Sequence, residues 1–253
     1  MTDTNPSPRR VAIFGATSDI ASAVARIYAE QGARLALVGR NEAALSAEAA
    51  DLKVRGAREV VTLAADFAVV DGLAELADRA WRSLGGLDVA LIAYGSLPDQ
   101  AAMQFSPDTA AAALTLNFTS PAVLIGALAN PFERQRSGAI AAISSVAGDR
   151  GRKSNYVYGA AKGGLQRFLE GLRHRLHAAG VAVIDIRPGF VSTKMTETLP
   201  QKGPLWATPD RVARDIVKAV DRRKPVAYTP WFWRLILGVV VALPRPLFHR
   251  TSL

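Results

Sequence analysis

The sequence predicts a single α/β domain in which a parallel, doubly wound sheet carries helices on both faces. Three observations predict it. Short apolar runs without polar alternation recur along the chain, as strands buried on both faces require. Stretches with helical periodicity fill the intervals, and strand–helix alternation marks parallel crossovers. The residues best suited to ligand chemistry fall at or just after the ends of the apolar runs, where open α/β sheets place their crevice. With 253 residues, 49% of them hydrophobic, the chain is long enough for one large core.

Residues 1–9 are polar, lack the apolar region of a signal peptide and read as a loose tail ahead of a domain spanning 10–229. Val11-Ala12-Ile13-Phe14 is the first strand. It runs into Gly15-Ala16-Thr17-Ser18-Asp19-Ile20-Ala21, and helix-compatible residues continue to Gln31 before a stop at Gly32. Strand, small-residue turn and helix together aim backbone N–H groups at a phosphate, which makes Gly15, Thr17, Ser18, Asp19 and Ile20 candidate cofactor contacts. Asp19 and Ala21 stand where such turns often carry glycine, and Asp19 either lies beside a pyrophosphate or caps the helix. The second strand ends at Val38-Gly39-Arg40. Gly39 occupies the place of the acid that would hold a ribose 2′-OH. The forked guanidinium of Arg40 suits a 2′-phosphate, so NADP(H) is expected in preference to NAD(H).

The alternation continues with strands at Val60–Ala64, Leu87–Ile92, Ala139–Ser144, Val181–Ile186 and Val226–Tyr228. Helices are expected at Glu42–Arg55, Asp71–Leu84, Pro107–Arg134 in one or two pieces, Asn155–Ala179 and Pro209–Arg222. This is a Rossmann-type arrangement. Gly15, Arg40, Asp66, Gly95, Ser145 and Pro188 follow strand ends and converge on one crevice.

Tyr158 and Lys162 stand at i and i+4, a spacing that puts phenol and ammonium side by side on one helix face. A tyrosine ordinarily holds its proton to a pKa near ~10, and a neighbouring cation should lower it into the range of a usable acid or base. Tyr156 has no lysine at the same spacing. Ser145 supplies a hydroxyl to hold a substrate oxygen while the proton moves. These residue types describe a carbonyl/alcohol oxidoreductase site.

On these motifs the chain resembles the short-chain dehydrogenase/reductase family from about Arg10 to Tyr228. The resemblance implies that Tyr158 exchanges the proton, that Lys162 binds the nicotinamide ribose and lowers the tyrosine pKa, and that Ser145 holds the substrate oxygen. Asn117, in Leu116-Asn117-Phe118, would anchor a proton-relay water. Asp66 and Phe67 match the adenine position, and Ala93 and Gly95 of Ile92-Ala93-Tyr94-Gly95 replace a more usual Asn-Asn-Ala-Gly beside the cofactor. Pro188, Gly189, Val191 and Thr193 match the segment that clamps the nicotinamide carboxamide, and the family assembles as homodimers or homotetramers. Asp88–Gly95, Gly148–Tyr158 and the tail from Pro230 also resemble the decaprenylphosphoryl 2-keto-pentose reductases. That likeness implies a lipid-linked keto-sugar as substrate and a flavin oxidase partner that makes it; the family's other substrates include 3-oxoacyl thioesters and small ketones. A nucleotide-binding protein without catalysis is the third reading, disfavoured by the intact Asn117, Ser145, Tyr158 and Lys162.

Residues 230–253 form an apolar and basic segment. Trp231 to Leu243 is too short an apolar run to span a bilayer, which takes ~20 residues. Its paired tryptophans and flanking arginines fit either a membrane interface or a helix packed on the domain or across a subunit boundary. A net charge of +9 favours anionic partners such as a lipid phosphate. No basic helix face with interleaved aromatics indicates nucleic acid. Arg150, Arg152 and Lys153 either bind a substrate phosphate or form a solvated loop. The chain has no cysteine, which suits a reducing cytoplasm, with peripheral attachment at the inner membrane face if the tail binds lipid. His174 and His177 share a helix face without a third ligand, so no metal site is expected. Ser192 to Thr208, with its prolines and glycine, is the expected lid.

Overall fold

The structure is a computed structural model that describes residues 7–251. Most of the expected tail at 1–9 and the last two residues lie outside the described residues. Seven parallel strands form the sheet: β1 (Arg10–Phe14), β2 (Arg34–Gly39), β3 (Glu59–Ala64), β4 (Val89–Ile92), β5 (Ala139–Ile143), β6 (Ala182–Pro188) and β9 (Val226–Thr229). Their order is β3-β2-β1-β4-β5-β6-β9, so the chain reverses direction across the sheet between β1 and β4. A ligand crevice is expected outside the strand ends at that reversal.

Both faces of the sheet are covered, which explains the apolar runs. Val11 and Ile13 of β1 face a core shared with α1 (Asp19–Glu30), α2 (Glu42–Val54) and α8 (Pro209–Asp221). Ala12 and Phe14 face the opposite core, built with α3 (Leu73–Ser83), α6 (Ser120–Gln135) and α7 (Tyr156–Leu176). A strand sandwiched in this way cannot alternate polar with apolar residues.

The helix expected over Pro107–Arg134 comprises α5 (Pro107–Leu114), a π-helical turn at Thr115–Thr119 and α6. The π turn carries the candidate residue Asn117, and such turns recur at functional sites because the extra residue redirects a side chain. The whole run Pro107–Gln135 is long and apolar enough to cross a membrane by composition, yet its Leu124, Leu128 and Phe132 lie in the second core. A short helix, α4 (Gln100–Phe105), precedes it in a stretch without helical periodicity.

The segment expected to act as a lid is bounded by a two-residue parallel pair, β7 (Phe190–Val191) with β8 (Trp206–Ala207). After β9 the chain forms α9 (Trp233–Ala242) and α10 (Arg245–Phe248). The inward face of α9 packs Trp233 and Leu237 against Val146, next to Ser145. Arg150 fastens the far end of this helix. Its Nη1 donates to the carbonyls of Val240, Val241 (3.1 Å) and Leu243 (2.8 Å), and its guanidinium lies 3.7 Å from the Phe248 ring centre. Arg150 is therefore a helix cap rather than a phosphate ligand, because the last carbonyls of α9 have no intrahelical donors.

Candidate active site

The turn after β1 is shaped for close approach. Gly15 has φ +85°, and a Cβ there would lie 2.8 Å from Tyr94 Cβ, so only glycine lets the backbone pass. Ser18, not Asp19, caps α1, accepting from Ala21 N at 3.4 Å and donating to Ala93 O at 3.2 Å. The N–H groups of Asp19 and Ile20 sit in the first turn of α1, where no intrahelical acceptor exists, and Thr17 is exposed beside them. Asp19 Oδ2 accepts from Lys194 N at 2.8 Å, which draws the carboxylate toward the lid base and away from a phosphate on the turn. Ala21 is fully buried, so the missing glycine there serves helix–sheet packing.

Gly39 closes β2 and is buried, and Arg40 stands exposed just beyond it. Asp66 is exposed, with Oδ1 accepting from Ala68 N at 3.0 Å. Phe67 departs from expectation at the side chain. Its ring is buried and stacked on Tyr94 with centres 3.9 Å apart, so the side chain belongs to the core and does not face a ligand. Tyr94 also turns away from the crevice, its hydroxyl 2.9 Å from Ser120 Oγ. An open helix N-terminus, a positive-φ glycine and a terminal arginine together fit a dinucleotide phosphate.

Asn117, Ser145, Tyr158 and Lys162 meet at the ends of β4 and β5. Asn117 is fully buried; its Oδ1 accepts from Ser96 N at 3.1 Å and its Nδ2 donates to Ala113 O at 3.0 Å. A Cβ on Gly95 would lie 2.7 Å from Asn117 Oδ1 and 3.4 Å from Lys162 Nζ, which places the amide and the ammonium on either side of that glycine. Lys162 is buried, and its Nζ donates to Ile143 O at 3.1 Å. Burial lowers its pKa to about 8, opposed by the field of Asp185.

Tyr158 corrects the electrostatic expectation. Burial raises its phenol to about 12, and the Ser145 hydroxyl offsets only part of that rise. The residue as a whole is half-buried. Spacing alone does not deliver the cation's effect: Lys162 Nζ is 5.8 Å from the Tyr158 ring centre and directed at the Ile143 carbonyl. The phenol therefore holds its proton at neutral pH, the form required of a proton donor.

Behind Ser145 lies a polar network that the sequence reading missed. Asp185, buried in β6, accepts from Ser144 Oγ and from Arg187 Nε at 2.7 Å. Arg187 Nη1 donates to Asp149 Oδ1 at 2.9 Å and to Tyr228 OH at 3.0 Å. Gln166 Nε2 completes the circuit, donating to Asp149 Oδ1 at 3.0 Å and Ser145 O at 2.9 Å. A lone acid inside the apolar run of β6, two residues before an arginine on the same face, was the available signal.

Of the carboxamide-clamp candidates, Pro188 and Val191 are buried, and Gly189 donates its N–H to Thr229 O at 3.1 Å. Thr193 Oγ1 lies 3.4 Å from Thr196 Oγ1, in a reciprocal capping arrangement at the lid base.

Comparison with known proteins agrees with this geometry. The family model for short chain dehydrogenases matches residues 9–203. An uncharacterized oxidoreductase of Mycobacterium tuberculosis is 36% identical over 250 residues, with 99% of each chain covered. One from Streptomyces coelicolor is 34% identical over 251 residues, with 98% of each covered. A short-chain dehydrogenase from Sphingobium yanoikuyae, solved in complex with NADPH, superposes with a TM-score of 0.80 at 26% identity, over 94% of this chain and 97% of that one. A Rossmann-type sheet, a phosphate turn and a Ser145–Tyr158–Lys162 cluster in one crevice thus carry both a fold and a lineage: the chain belongs to the short-chain dehydrogenase family and is an NAD(P)-dependent oxidoreductase.

Proposed function

We propose that this chain is an NADPH-dependent reductase of a lipid-linked, phosphorylated keto-sugar. The observation that carries the substrate class is Arg152, in the loop between Ser145 and Tyr158. Burial lowers its pKa against the opposing field of Asp149, and its buried Nε has no partner among the described residues. A half-buried guanidinium whose Nε has no hydrogen-bond partner, and which Asp149 reaches only through its field, is suited to receive an anion. The likeness of the Gly148–Tyr158 stretch and the tail to decaprenylphosphoryl keto-pentose reductases supports the same choice. On this reading a flavin oxidase supplies the ketone, and the present chain returns it to an alcohol of opposite configuration.

Bound NADPH supplies the hydride. Its phosphates fit the open N–H groups of Asp19 and Ile20, with Arg40 on the 2′-phosphate. Ser145 Oγ donates to the ketone oxygen, and Tyr158 gives its proton to that oxygen as the carbon accepts the hydride. The Lys162 ammonium, displaced from water and facing the crevice across Gly95, binds ribose hydroxyls and draws the phenol toward ionisation once the cofactor orients it.

The tail extends the reading to a membrane surface. Leu235 and Val239 on the outward face of α9, and Trp231 two residues before its start, are 61%, 66% and 64% exposed. No acidic residue follows Asp221, while Arg234, Arg245 and Arg250 are exposed in the same segment. An apolar helix face beside unopposed cations fits an anionic leaflet. Because the inward face packs beside Ser145, such docking would bring a lipid-borne substrate to the crevice mouth.

The direct assay follows NADPH oxidation with a polyprenyl-phosphate 2-keto-pentose and, in parallel, with an acetoacetyl thioester; preference for the thioester sinks the proposal. Tyr158→Phe is expected to lower kcat by roughly 10²–10⁴-fold while fluorescence titration still shows NADPH binding. Arg40→Ala should weaken NADPH about tenfold or more and leave NADH nearly unchanged, since one charged phosphate contact is removed; equal losses would clear Arg40 of the role. For Arg152→Glu, the Michaelis constant should rise at least about tenfold for the phosphorylated ketone alone, and a constant that stays put argues against phosphate recognition. In vesicle sedimentation the wild type should pellet with anionic and not zwitterionic lipid, and Trp231→Ser with Leu235→Ser should release it; a soluble dimer broken by the same pair would assign the face to subunit contact.

A further inference from the structure

Six buried side-chain polar atoms lack a partner among the described residues: Arg26 Nε, Tyr28 OH, Gln100 Nε2, Arg152 Nε, Asn155 Oδ1 and Trp233 Nε1. The first two lie on α1. The other four belong to segments that surround Ser145 and Tyr158, and Arg152 already has a role. Gln100 and Trp233 are both at least nine-tenths buried, at 7% and 5% exposure, and both present a donor.

The orientation of each is fixed by its neighbours. Gln100, at the start of α4, accepts from Val157 N through Oε1 at 3.1 Å. A backbone N–H can only donate, so the opposite end of that amide must be the NH2 group. It is held one residue from Tyr158 with nothing to bond. Trp233 packs against Val146, beside Ser145, and its ring meets the Phe190 ring edge-on with centres 5.3 Å apart. Its Nε1 stands where a side chain at position 189 would begin, for a Cβ on Gly189 would lie 1.9 Å from it. An indole nitrogen is a donor only, and Gly189 leaves room for it at the end of β6.

Two lone donors, one on a side chain that bonds Val157, the neighbour of Tyr158, and one on a ring packed against Val146, the neighbour of Ser145, are matched by a ligand with acceptor oxygens on both sides of its reacting carbon. We infer that Gln100 and Trp233 are specificity-determining residues that read hydroxyl or ring oxygens flanking the reactive ketone, so the site selects a polyhydroxylated ketone over an acyl ketone. This rests on the reductase reading above and deepens it. A 3-oxoacyl thioester flanks its ketone with methylene carbons and presents an acceptor on one side only, which leaves at least one donor buried and unpaired. Sites built to bond substrate oxygens reject analogues that lack them far more strongly than apolar pockets reject a missing methylene.

The test uses two isosteric changes. Gln100→Glu keeps an acceptor for Val157 N and removes the NH2; Trp233→Phe keeps an aromatic ring and removes the N–H. In each variant kcat/KM should fall roughly tenfold or more further for the polyprenyl-phosphate 2-keto-pentose than for the acetoacetyl thioester. Melting temperature and NADPH affinity, measured alongside, should match wild type; a variant that melts early is judged on the ratio of the two ketone rates, which loss of folded protein does not move. Equal losses on both ketones, or no loss on either, overturn the inference while wild-type keto-sugar activity leaves the reductase reading standing. A wild type inactive on the keto-sugar overturns that reading and this inference with it.

Discussion

Asp185 carries a charge in a strand buried on both faces, and much of the site is arranged around compensating it. Removing one member of such a buried pair typically costs about 3–5 kcal/mol, because an unmatched charge stays behind. Here the compensation is shared. Arg187 takes one carboxylate oxygen at 2.7 Å, Ser144 donates to the other, and Arg187 carries the connection on to Asp149 and Tyr228. Through Gln166 the same network grips the Ser145 carbonyl. The strand that leads into the candidate clamp, the loop that carries Arg152 and the backbone of Ser145 are therefore fixed by one electrostatic requirement.

That requirement also reaches Lys162. Its ammonium is buried, which alone would drive it toward neutrality, and Asp185 is the charge that resists. The result is a lysine poised near physiological pH rather than a permanently fixed cation. Tyr158 shows the complementary outcome. With the lysine directed at a carbonyl, desolvation outweighs the attraction expected from helix spacing, and the proton stays on the phenol. For a reductase this is the useful resting state, because the proton must be present before the alkoxide forms.

The carboxy-terminal helix joins the chemistry to the surface. Arg150 caps it, Trp233 and Leu237 seat it against Val146, and its other face is left apolar and exposed. The same ten-residue element thus packs against Val146 on one side and leaves an exposed apolar face on the other. Asp19 plays a similar bridging part, tying the phosphate turn to the lid base through Lys194.

The sequence by itself determined the layers and the order of the candidate catalytic residues. Apolar runs without alternation fix a sheet covered on both faces, and the order of Gly15, Ser145, Tyr158 and Lys162 along alternating strands and helices fixes which end of the sheet reacts. Periodicity could not show the π turn around Asn117, since one inserted residue leaves the apolar pattern of α5 and α6 intact. Nor could it show what each charged or polar side chain faces. Asp19 turned out to bond Lys194 in the expected lid, Arg150 to cap a helix, Phe67 to stack in the core, and Gln100 to bond Val157, the neighbour of Tyr158. Only the tertiary structure decided these partners, because a local pattern encodes which face a residue occupies, whereas its hydrogen bonds and its desolvation depend on residues as much as 175 positions away.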